Sequence, residues 1–203
     1  MQNGGTCAPV TDYWSYANRL VDVNGEMISS GEIVTNGDFS SGSNGWYLNP
    51  GWAIINDAAE CYRDVIPQEC WREPYMDTTT LRTEIADGVS FEVAEVGGLV
   101  CGVMGTQPKG LVTLIRHAYV ARDYQHRGIG TVLIEQLLGQ SSQEFLIGTW
   151  VRATWAISFY KKFSFAPVCA ELRESLLRRY WSVPQSQMDN SVVLAQPTFE
   201  EVD

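Results

Sequence analysis

The hexapeptide Gln125-His126-Arg127-Gly128-Ile129-Gly130 has the residue types to hold an anion. It follows an apolar run of strand length and opens a stretch in which Ile129, Val132, Leu133 and Leu137 repeat at helical spacing, so its main-chain N–H groups stand at a helix N-terminus. There, unpaired donors and the positive end of the helix dipole attract negative charge. Gly128 and Gly130 lack a Cβ, which lets an anion come close to the main chain. A plain tight turn would use the same glycines, and a lone Gly-x-Gly does not decide between the two. Arg116, His117, Arg122, His126 and Arg127 cluster around the loop. Such a cluster is either an ordinary solvated basic face or the place where a small polyanion is met.

The elements that must position the loop are legible on both sides of it. Phe91 to Glu95, Leu99 to Gly105 and Leu111 to Val120 read as three strands, the first two joined by Val96-Gly97-Gly98 as an antiparallel hairpin. Phe145 to Val151 is a continuous apolar run, giving a strand, glycine loop, helix, strand unit. Trp155 to Phe163 and Glu171 to Trp181 read as helices, Phe165 to Val168 and Ser191 to Ala195 as strands. Upstream, Ala53 to Ala59 is helical, and Thr78 to Ala86 is a second helix whose start Thr78-Thr79-Thr80 can cap. Residues 1–51 are a Gly/Ser/Asn-rich extension of short β-prone pieces and turns, 52–196 the main domain, and 197–203 a loose acidic tail.

A chain of 203 residues with 45% hydrophobic content can bury one substantial core. Its net charge of -10 argues against broad contact with nucleic-acid phosphates or anionic lipid. Cys7, Cys61, Cys70, Cys101 and Cys169 are odd in number and lack a C-x-x-C pair, which points to free thiols in a reducing compartment, most simply the cytoplasm. No stretch approaches the roughly 20 apolar residues of a membrane span.

The blocks Leu114-Ile115-Arg116-His117-Ala118-Tyr119-Val120 and Tyr124-Gln125-His126-Arg127-Gly128-Ile129-Gly130-Thr131 together resemble motif A of the GNAT superfamily, whose signature is Q/R-x-x-G-x-G/A. Gly148-Thr149-Trp150 with Ala156-Ile157-Ser158-Phe159-Tyr160-Lys161-Lys162-Phe163-Ser164-Phe165 resembles motif B, and the likeness extends over roughly residues 53–196. Ser164 stands where the family usually has Gly, and the usual first strand is missing or replaced, with Ile33-Val34-Thr35 the best substitute.

The resemblance implies an α/β (α+β) fold with a mixed, mostly antiparallel sheet flanked by helices and splayed near Val120. It implies an N-acetyltransferase that moves acetyl from acetyl-CoA to a primary amine by direct attack in a ternary complex. Tyr119, Val120, Gln125, Arg127, Gly128, Ile129, Gly130 and Thr131 would hold the cofactor, and Tyr160 would protonate the leaving thiolate. Tyr160 could equally be a core aromatic, since it follows Ile157 and Ala156 at helical spacing.

Strand alternation puts Arg116, Ala118 and Val120 on one face and His117 and Tyr119 on the other, so Arg116 is the candidate to hold an acceptor carboxylate. His117 is a structural histidine unless a bulge turns it inward, when it could be a base. Tyr62, Trp71, Glu73 and Tyr75 either line a pocket for a cationic amine or pack as local core. No metal is expected. The acceptor is a small-molecule or peptide amine, and a homodimer is compatible with the reading. The rivals are a non-catalytic acyl-CoA-binding module and, from Val34-Thr35-Asn36-Gly37-Asp38-Phe39 with Gly45-Trp46, a carbohydrate-binding protein of phage type.

Overall fold

The computed structural model describes residues 13–16, 19–22, 55, 56, 58–96, 99–196 and 199. Two short strands, β1 (Tyr13–Tyr16) and β2 (Arg19–Asp22), pair antiparallel, and β1 lies alongside the edge strand of the main sheet. The substitute strand expected at Ile33-Val34-Thr35 and the Asn36-Gly37-Asp38-Phe39 segment lie outside the described residues.

Helix α1 (Thr78–Ala86) has the bounds expected, but its cap is Asp77 rather than the threonine run: the carboxylate accepts from Thr80 N at 2.7 Å and from Thr80 Oγ1 at 3.0 Å. An aspartate satisfies the otherwise unpaired first-turn donors at least as well as a threonine and also complements the helix dipole.

Strands β3 (Ser90–Val96), β4 (Leu99–Lys109) and β5 (Val112–Val120) form an antiparallel meander. Helix α2 (Ile129–Gln140) then crosses to β6 (Glu144–Trp150), which runs parallel to β5. Helix α3 (Thr154–Lys161), β7 (Ala166–Pro167), α4 (Ala170–Tyr180), α5 (Gln185–Asp189) and β8 (Ser191–Ala195) complete the described fold. The strand order is β3-β4-β5-β6-β8-β7, mixed and mostly antiparallel as expected.

The adjacent residues Val93 and Ala94 serve opposite faces of the sheet. Ala94 joins Cys101, Ile115 and the α2 residues Ile129, Leu133 and Ile134. Val93 joins Phe91, Val103, Ile55 and the α1 residue Leu81. Cys70 and Cys169 carry free thiols, and the thiols of Cys61 and Cys101 donate to the carbonyls of Ala58 and Ala94. Among the described residues, no helix is long and apolar enough to cross a membrane.

Two irregularities shape the middle of the sheet. Pairing of β5 with β6 runs from Val112–Glu144 to Ile115–Ile147, after which β5 continues on β4 and β6 on β8. The sheet therefore opens just past Ile115, well before Val120 where the sequence placed the splay. Opposite, β4 and β5 are in register at Val103–Tyr119 and again at Gly105–Arg116. One β4 residue thus faces His117 and Ala118 together, a bulge in which His117 takes φ 51.

Ser164 accounts for the glycine usual at its position, because it sits at φ 66 in the left-handed region. That conformation costs a non-glycine residue about 1–2 kcal/mol. Glycine's own loss of freedom on folding is about 0.5–1 kcal/mol. Ser164→Gly is expected to be neutral to stabilising, by up to about 1.5 kcal/mol. Urea denaturation checks this, and a clear loss of stability would show that the serine conformation is compensated locally.

Candidate active site

The glycine loop lies at the C-terminal end of β5. A short 3-10 turn, Arg122–Tyr124, leads into Gln125, and Gly128 at φ 88 forms the N-cap of α2. Val132 N donates to Gly128 O at 3.0 Å, the first bond of the helix. The preceding first-turn N–H groups remain directed outward from the helix end, as an anion site requires. The two glycines are needed for different reasons. A Cβ on Gly128 would meet nothing within 4 Å, so its role is the left-handed backbone. A Cβ on Gly130 would come within 3.2 Å of Phe159 Cζ, so its role is to let α3 approach α2.

A cavity of about 860 Å³ extends from this loop along β5, bordered by Val120, Gly128, Gly130, Thr131 and Tyr160 among others. Its size lies within the usual range for small-molecule and cofactor sites, roughly 300–1,000 Å³. Ala121 N bonds to Cys101 O at 2.8 Å. By antiparallel alternation Val120 turns its main-chain groups to the open side of β5, where its carbonyl accepts from Gln125 Nε2 at 3.1 Å. Gln125 thus braces the loop against the strand. Of the expected cofactor residues, Tyr119, Val120, Gln125, Gly128, Ile129, Gly130 and Thr131 border this cavity, as does His126. Arg127 does not border it and lies over the Tyr124 ring, 5.4 Å from its centroid.

A second cavity, of about 140 Å³, opens where β5 and β6 part. Tyr62, Ala118, Tyr119 and Tyr160 border both cavities. The junction is thus built largely from phenols. Tyr119 meets the rings of Tyr62 and Tyr75 edge-on at 6.3 and 6.5 Å. Tyr75 and Tyr119 share a hydroxyl hydrogen bond, and the Tyr75 hydroxyl also accepts from the Trp150 indole. Burial raises the pKa values of Tyr62, Tyr75, Tyr119 and Tyr160 above the ordinary phenol value, so all four stay protonated. Tyr160 is only 6% exposed and packs edge-on to Phe159 at 5.1 Å. It is therefore both a buried α3 aromatic and a lining residue of both cavities.

Arg116 and His117 both border the smaller cavity. The alternation expected to separate them is broken by the bulge, which turns both toward Glu84 of α1. Arg116 Nη1 lies 2.6 Å from Glu84 Oε2, Arg116 Nη2 donates to Glu84 Oε1 at 2.9 Å, and Arg116 Nη1 also donates to Gln107 Oε1 at 2.9 Å. His117 Nε2 faces Glu84 Oε2 at 3.5 Å, and its ring lies beside Phe91. The guanidinium is thereby neutralised within the protein. Glu84 and Gln107 carried no sequence signal of their own. The only hint was that a bulge would bring His117 inward.

The aromatic connection divides. Tyr62 and Tyr75 reach the cavities, whereas Glu73 is held on the surface by Arg63 at 2.8 Å and accepts from Trp71 Nε1 at 3.2 Å. Trp71 stacks on Tyr75 at 5.4 Å, one layer behind the cavity wall.

Residues 87–167 match the family model of the acetyltransferase (GNAT) domain. Among solved structures, the chain resembles the PaiA N-acetyltransferase from Thermoplasma acidophilum in complex with coenzyme A, at 17% identity over 70% of this chain and 87% of that one, with a TM-score of 0.51. It resembles a GNAT-family acetyltransferase from Staphylococcus aureus at 14% identity, covering 71% and 88%, with a TM-score of 0.53. It also resembles an acetyltransferase from Thermus thermophilus at 12% identity, covering 72% and 88%, with a TM-score of 0.53. No curated protein matches the chain. Fold and domain match agree: the chain has the GNAT fold, and its residues 87–167 are similar to the GNAT acetyltransferase domain. The domain whose model it matches is that of an acyltransferase.

The Glu84 cluster makes a pH prediction. Burial lowers the pKa of His117, and the neighbouring Arg116 charge adds to this against the pull of Glu84. For Glu84, burial alone would raise the pKa, but His117 and Arg116 outweigh it and hold the carboxyl below its ordinary value. Both groups bind protons more readily in the unfolded chain, so stability falls as pH falls. The loss begins below the ordinary histidine value of 6.5 and steepens below the ordinary glutamate value of 4.5. His117→Asn, which tolerates the positive φ, should flatten the decline in Tm between about pH 7 and 5. An unaltered slope would place the titrating group elsewhere.

Proposed function

We propose that the protein is an N-acetyltransferase that transfers the acetyl group of acetyl-CoA directly to a primary amine, both bound at once. The observation that carries this reading is the meeting of the two cavities at Tyr62, Ala118, Tyr119 and Tyr160. One cavity is large enough for a nucleotide cofactor and begins at a helix N-terminus. The other is small and opens on the same point from the opposite side. The Thermoplasma acidophilum structure of the same fold, which holds coenzyme A, supports the assignment of the larger one.

In this reading the N–H groups at the start of α2, with Gly128, Ile129, Gly130 and Thr131, take the cofactor diphosphate. Val120 pairs with the pantetheine arm, and its N–H is the donor nearest the thioester oxygen. The amine nitrogen attacks the thioester carbonyl, a C–N bond forms, and the negative charge on oxygen is met by that main-chain donor. The C–S bond then breaks, with Tyr160 donating its hydroxyl proton to the departing sulfur. The amine's surplus proton leaves through the smaller cavity, where His117 is the neutral base on the wall. Arg116, already paired with Glu84, shapes that wall rather than carrying a free charge.

The contribution of Tyr160 is bounded by its own acidity. A thiolate with a reference pKa near 8.5 is a fair leaving group, and a buried phenol above 10 is a reluctant donor. Tyr160→Phe is therefore expected to lower kcat by roughly tenfold to a hundredfold, the low end for general acid catalysis, with little change in KM for acetyl-CoA. Full kcat with a lowered Tm would make Tyr160 a packing residue only.

Gly128→Val should weaken CoA binding at least tenfold by calorimetry. The added side chain has room, but the backbone at φ 88 is one a β-branched residue resists. Thiol release from acetyl-CoA with a panel of primary amines tests the transfer itself. CoA binding with no release on any amine would favour a non-catalytic acyl-CoA-binding module.

A further inference from the structure

The far wall of the smaller cavity is made by an indole seated on a glycine. Gly148 is the first residue of β6 beyond its pairing with β5. A Cβ built there would come within 3.1 Å of Trp181 Cε2 and Nε1 and within 3.2 Å of Cζ2. The ring thus occupies the space in which a side chain of β6 would otherwise stand. It is held from behind, because Trp181 N donates to Leu177 O at 3.0 Å and Leu177 is fully buried against β8 and β6. Gly148 and Trp181 both border the cavity.

The partly open space of about 140 Å³ is close to the roughly 150 Å³ that admits a benzene-sized molecule, and well below a drug-sized pocket. Charge narrows the occupant further. Among the described residues bordering the cavity there is no carboxylate. The guanidinium of Arg116 is committed to Glu84 and Gln107, His117 is neutral, and the phenols are protonated. A second ammonium would find no counter-charge, and a carboxylate would have to displace Glu84 from Arg116. Thr149, Gln187 and Ser191 offer neutral hydrogen-bonding groups instead.

We propose that Trp181, seated on Gly148, sets the length limit of the acceptor, and that the acceptor is a compact monoamine with an uncharged tail of about benzene size. This rests on the transferase reading of the same cavity.

The test is thiol release from acetyl-CoA by the full chain, using unbranched primary monoamines from propyl to octyl, benzylamine, and α,ω-diamines of matching length. The wild type should prefer the short monoamines and benzylamine over octylamine by at least tenfold in kcat/KM. It should also prefer each monoamine over the diamine of equal length. Trp181→Ala should raise kcat/KM for octylamine at least tenfold and leave KM for acetyl-CoA unchanged. Trp181→Phe, which keeps a smaller ring and is the safer variant for folding, should shift the ranking the same way to a lesser degree.

An unchanged length ranking in both folded variants, or diamines as good as monoamines in the wild type, would overturn the proposal and leave the transferase reading standing. Thiol release with none of these amines, while other amines are turned over, would likewise overturn it. Failure with every amine despite intact CoA binding would remove the transferase reading itself.

Discussion

Beyond Ile115 and Ile147, β5 and β6 separate, and both cavities depend on that separation. A parallel pair does not part without a reason, since each main-chain group left unbonded in the interior costs about 1–3 kcal/mol. Here each strand keeps the neighbour on its far side, while main-chain groups facing the gap, those of Val120 among them, are left to the opening. The main chain of β6 continues on β8 from Leu146–Ala195 to Trp150–Ser191, while β5 continues on β4 and bulges at His117 and Ala118. Each strand is then held in its new course by a side chain outside the sheet. Trp181 lies against Gly148 on one strand, and Glu84 reaches from α1 to Arg116 and His117 on the other. The opening is therefore clamped from both sides.

The character of the junction follows from where it sits. It lies inside a sheet whose faces are covered by α1 and α2, so any charged group placed there would be desolvated. Phenols suit such a place, being polar enough to make hydrogen bonds while staying neutral when burial raises their pKa values. Among the described residues bordering the smaller cavity, the one Lys or Arg is Arg116, and it is paired with Glu84 before any ligand arrives. Removing either partner alone would leave the other charge half-buried and alone, which is why the pair behaves as part of the scaffold.

Periodic features were readable from the residues. The helix at Thr78–Ala86 and the strand at Ser191–Ala195 have the bounds expected, and the loop-helix junction at Gly128 was marked by its glycines. What failed to show was whatever breaks a period. Strand alternation assigns side chains to faces only while the count is regular, and the single additional residue at His117–Ala118 reverses the assignment for part of β5. The cap at Asp77 was missed because three threonines stood beside it. Helix α5 spans five residues, Gln185–Asp189, too few for an apolar repeat to register. The departure at Ser164 was visible as a missing glycine, but only the backbone at φ 66 explains why glycine suits that position.

The glycines of the site illustrate how close packing sets chemistry. A Cβ on Gly102 of β4 would meet Ile129 Cγ2 at 2.7 Å and Leu133 Cδ1 at 3.3 Å. Helix α2 therefore rests directly on β4 through Ile129, the residue that follows the Gly128 cap. A side chain at position 102 would lift the first turn off the sheet, and with it the N–H groups that face the larger cavity. Gly130 does the same on the other side of that turn, where Phe159 of α3 presses in at 3.2 Å. The helix N-terminus is thus fixed between β4 and α3 by two absent methyl groups, and the α3 that presses on it also carries Tyr160. Anion site and phenol are in this way placed relative to each other through a single packed contact, one that a Cβ at either glycine would disturb.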